Sequence, residues 1–154
     1  INTVDKASLY QMSFALARRF GWIFVDAPRD TRAFLAEFLV REGLAATEPA
    51  AGASLPLAAV WDAVNAVRPV GAAPIIDAIR TTRGIAEDLD FAAAPAAAEH
   101  RQAYLDAFSL YLLPMLDGIS RPEATGIAGA VADALALPAA ERAELERRLL
   151  AVTT

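Results

Sequence analysis

The sequence predicts an all-α protein: a single-domain helical bundle of about six to seven helices, residues 1–154, with a central apolar helix near residues 96–113. Three observations point there. Apolar residues recur at three- and four-residue spacing along most of the chain, and strand-like alternation is nearly absent. Alanine, the strongest helix former, accounts for 37 residues. Glycine and proline fall between the periodic segments, where helices start and stop.

The first predicted helix covers residues 4–20. Asn2 or Thr3 caps it, Asp5 suits its positive end, Arg18 and Arg19 its negative end, and Gly21 stops it. Residues 22–25 are a short apolar run with no second strand to pair with, so they read as a buried connector or an extra helical turn. Asp30 opens a helix through 41, with Phe34, Leu35, Phe38 and Leu39 on one face and Gly43 at its close. Residues 45–53 carry almost no large side chain and are expected to form a mobile loop. A third helix starts at Ser54 with Pro56 in its first turn, carries Leu57, Val60, Trp61 and Val64, and ends at Arg68 and Pro69.

Pro74 begins a short helix with Ile75, Ile76 and Ile79, terminated by Gly84. After Pro95, Tyr104, Leu105, Phe108 and residues 110–113 cover most of a helical circumference, leaving Gln102, Asp106 and Ser109 as the polar stripe. A helix apolar on more than half its surface belongs in the middle of a bundle. Ser120, Arg121, Pro122 and Glu123 spell a capping box with proline in the first turn. Gly126, Ala130 and Ala134 follow at four-residue spacing and make a smooth face, expected to pack tightly inside the bundle rather than form a dimer seam. Pro138 starts the last helix, with Leu145, Leu149 and Val152 as its apolar stripe and Glu144 paired to Arg148.

Composition excludes several functions. With no cysteine, disulfides, thiolate metal sites and thiol nucleophiles all fall, and a reducing, cytoplasmic location is expected. A spanning helix needs about 20 consecutive apolar residues, whereas the longest uncharged stretch, 49–61, has 13 and includes Pro, Gly and Ser. No membrane span is expected. A net charge of −5 opposes a phosphate backbone, so nucleic acid is not an expected partner.

No motif dictates a reaction. His100 is the sole histidine, so no metal site can contain two, and Glu99 lies about 100° round the helix from it. The acidic residues Glu87, Asp88 and Asp90 have the oxygen chemistry of a magnesium site. They read better as solvated or capping groups, because no second acidic cluster faces them. Gly126–Gly129 lacks the lysine and preceding strand of a phosphate cradle. A serine nucleophile would depend on His100 alone, and no G-x-S-x-G elbow exists. No catalytic residue, metal or cofactor is therefore assigned, and whether the chain is an enzyme is left open with the balance against it.

Two functional readings remain. The first is a non-catalytic accessory, regulatory or adaptor protein that acts through a protein partner or a homo-oligomer. The second is a bundle that binds a small apolar ligand, possessing enzymatic activity or not, with Trp61, Tyr104 and Tyr111 as walls and His100 at the rim. Aromatic residues at helical spacing more often form plain core, which weighs against the second reading.

Overall fold

The computed structural model describes residues 28–45, 49–50 and 55–153. These residues form an all-α bundle: six α-helices and one 3-10 turn, with a single isolated β-bridge between Ile119 and Thr153 as the only strand-type pairing among them. No helix among them is long and apolar enough to cross a membrane. The predicted helix at 4–20, the run at 22–25, and Ser54 lie outside the described residues. So does most of the loop expected at 45–53, of which Ala45 is buried in the core and Ala50 accepts a hydrogen bond from Arg32.

Helix α1, Thr31–Arg41, starts as expected, with the Asp30 carboxylate accepting from the Ala33 amide at 2.8 Å. Its end is a paired-amide cap. Gly43 at φ +69 donates to Val40 O, and Leu44 donates to Leu39 O at 2.8 Å, so two carbonyls that the helix leaves open are satisfied. Helix α2, Pro56–Asn65, has proline at its first position and buries Leu57, Val60, Trp61 and Val64. Beyond Asn65 a turn continues to Arg68, whose amide donates to Val64 O at 2.8 Å just before Pro69, and the Asn65 side chain accepts the Val70 amide at 2.8 Å. The Thr31 hydroxyl donates to Asp62 at 2.7 Å and Phe34 sets its ring edge-on to Trp61, which fixes α1 against α2.

Helix α3, Ala72–Ile85, is longer than the sequence suggests. Pro74 sits inside its first turn, where a missing N–H costs nothing. The helix closes one residue past Gly84, at Ile85, and the glycine itself stays helical rather than taking the left-handed backbone of a cap. Helix α4, Ala98–Tyr111, falls where the apolar helix was expected and hands over to the 3-10 turn Leu113–Leu116, which accommodates Pro114. Its principal neighbours among the described residues are α3 and that turn. Ala103, Tyr104, Leu105, Ala107 and Phe108 are buried, while Leu110 is 60% exposed. Leu110 follows Gln102 and Asp106 at four-residue steps, and so continues the outer stripe despite being apolar.

Helix α5, Arg121–Ala134, packs on both α2 and α6, Ala139–Leu150, as α2 packs on both α1 and α5. The capping box is complete: Glu123 accepts from the Ser120 amide at 2.8 Å and Ser120 Oγ accepts from the Glu123 amide at 3.5 Å. Ala124, Ile127, Ala128, Val131 and Ala132 face the core. The smooth face is therefore not where tight packing was expected. Gly126 and Ala130 are exposed, only Ala134 is half-buried, and a Cβ added at Gly126 would meet nothing within 4 Å. On α6, Leu145 and Leu149 are buried, and Arg148 donates to Glu144 at 2.8 Å as expected.

Candidate functional site

The four residues singled out by sequence occupy three separate settings. Trp61 is fully buried in the α1–α2 layer, and its indole N–H donates to Val70 O at 2.8 Å. Tyr111 shares a hydrogen bond with Thr81 Oγ1 at 2.9 Å, linking the end of α4 to α3. Both polar handles are thus engaged inside the protein.

His100 and Tyr104 do come together, because a spacing of four puts them one turn apart on α4. Both meet the connector 86–97. His100 Nε2 lies 3.0 Å from Asp88 Oδ1; the imidazole is 17% exposed and the carboxylate 84%. One turn on, the ring of Tyr104 stands edge-on to Phe91 at 5.8 Å between centroids. The connector folds down because Leu89, Phe91 and Pro95 are buried there, and Arg101 reinforces it by donating to Ala96 O.

Electrostatics differ between the two pairs. The hydrogen bond from His100, helped by the backbone and by the charges of His100 and Arg83, holds the Asp88 carboxyl below the ordinary aspartate value. Tyr104 goes the other way: burial, and then the nearby charge of Asp90, pushes its phenol far up. Its hydroxyl is buried and has no hydrogen-bond partner among the described residues, as is also true of Thr82 Oγ1 on α3. Asp90 is occupied with the Ala92 amide at 2.9 Å, a capping use of the acidic segment. Among the described residues no group of three or more histidines and carboxylates is arranged to hold a metal ion.

Sequence reasoning passed over Phe91. Its signal was present, since it and Leu89 are the two large apolar side chains in an acidic and alanine-rich connector, where they serve as anchors. Leu110 and Ile85, the latter 57% exposed at the end of α3, were also not recognised as surface residues.

The described residues define an all-α bundle. Comparison with known protein families, with curated proteins and with solved structures found no match in any of the three.

Proposed function

We propose that this chain is a non-catalytic accessory, regulatory or adaptor module that works by binding a protein partner, either a second copy of itself or another chain. The observation that carries this reading is the pair of large aliphatic side chains left in solvent on neighbouring helices, Leu110 at 60% and Ile85 at 57% exposure. Single exposed apolar residues are ordinary on a protein surface. Leu110 differs in breaking the polar stripe of its own helix, where a charged residue would have served solubility equally well. The open small-residue face of Gly126 and Ala130 gives a second surface that another backbone can approach closely. A cytoplasmic setting and the lack of a nucleic-acid partner go with this reading, on the grounds of zero cysteine and a net charge of −5.

The test uses substitutions that the isolated fold tolerates. Leu110→Glu alters a largely exposed side chain and leaves the unfolding midpoint nearly unchanged, while Gly126→Gln projects into open space and raises it, glycine being the poorer helix former. Sedimentation equilibrium of the full chain over a wide concentration range, with chemical crosslinking, reads association for the parent and for each variant. Loss of association in either variant supports self-binding. A parent that is monomeric throughout, and whose set of neighbours in proximity labelling is unaltered by either variant, overturns the proposal.

A second reading, the small apolar-ligand bundle, is favoured by one observation: the buried Tyr104 hydroxyl, without a partner among the described residues, beside the Phe91 ring. A ligand polar group would satisfy that hydroxyl. Trp61 and Tyr111, already engaged elsewhere, contribute nothing to it. Thermal-shift screening of small apolar compounds bearing a hydrogen-bond acceptor tests this reading, with Tyr104→Phe as control. Stabilisation that persists unchanged in the variant counts against it.

A further inference from the structure

We draw no further inference here: the strongest candidate, the acidic connector of Glu87, Asp88 and Asp90 beside the buried hydroxyl of Tyr104, belongs to the cluster already described, and nothing in the structure shows what would cover or fill it.

Discussion

Trp61 and Asn65, one turn apart on α2, hold Val70 from both sides: the indole N–H donates to its carbonyl at 2.8 Å and the Asn65 carbonyl accepts its amide at 2.8 Å. The segment between α2 and α3 therefore has its backbone satisfied by two side chains rather than by a ladder. That satisfaction matters because Val70 is only 1% exposed, so water cannot replace either partner.

Trp61→Phe keeps most of the apolar volume but leaves the Val70 carbonyl unpaired. A buried acceptor without a partner costs about 1–3 kcal/mol, and the void left by the lost ring adds to that. The urea midpoint should fall accordingly, with an unchanged slope. A midpoint equal to the parent's would mean that the indole bond contributes nothing.

Ala136 carries φ +50 in the left-handed region and closes α5 by the same paired-amide cap that Gly43 provides for α1, with Ala136 N bonded to Asp133 O and Leu137 N to Ala132 O. A side chain in that conformation costs roughly 1–2 kcal/mol. Ala136→Gly should therefore stabilise the protein, by about 1 kcal/mol after the extra unfolded-state entropy of glycine is subtracted. Differential scanning calorimetry that finds a lower Tm for the variant would contradict this assignment.

Gly126 is the converse case, a glycine at an exposed position in the middle of a helix with open space where a Cβ would go. Gly126→Ala should raise stability by about 1 kcal/mol, the propensity difference between the two residues. A destabilised variant would show that the face is packed against something after all.

Tyr104 has a buried hydroxyl to lose and no described bond to lose with it. Tyr104→Phe should leave stability unchanged or raise it by up to about 1–3 kcal/mol, the desolvation cost of an unsatisfied buried group. The raised phenol has a second consequence. Its contribution to stability is full below the ordinary tyrosine value of 10.0 and is lost as pH rises from there toward the folded-state value. In an alkaline titration followed by phenolate absorbance, the fraction that appears only with unfolding should be smaller in Tyr104→Phe than in the parent. A parent whose tyrosines all ionise in one step while the fold is intact would refute the burial argument.

At the acid end the sign reverses. Glu123 is held below the ordinary glutamate value of 4.5, first by the Ser120 side chain and then by the Ser120 backbone amide. Glu144 is held below it by Arg148 and Arg147. Each depressed carboxyl contributes stability that is complete above 4.5 and is lost as pH falls through its lower folded-state value. Urea unfolding midpoints should therefore fall with acidity in that window, and Glu123→Gln or Glu144→Gln should each flatten the slope while leaving the spread between neutral and mildly acidic pH small. An unaltered acid slope in both variants would place the titrating groups elsewhere.

The same contrast between local and distant causes runs through the whole molecule. Asp30, Gly43, Pro56 and the Ser120–Glu123 box were readable because a cap or a stop involves residues within one turn of each other, and the chain carries both halves of the interaction side by side. The all-α class followed from periodicity for the same reason. The smooth face of α5 was misplaced although the phase of the helix contained the answer: Gly126 and Ala128 are two positions, or about 200°, apart, and Ala128 shares the core side with Ile127 and Val131. Gly84 marks the end of α3 to within one residue, since the helix closes at Ile85, but not as a left-handed cap, because its backbone stays helical. What the sequence determined alone was therefore where helices form and which of their ends are capped, since those energies are local. Only the tertiary structure decided that Trp61 serves Val70, that His100 and Tyr104 share the 86–97 connector, and that Leu110 faces water. Those outcomes depend on which helix lies against which, a choice made by summed burial across the entire chain rather than by any neighbouring residues.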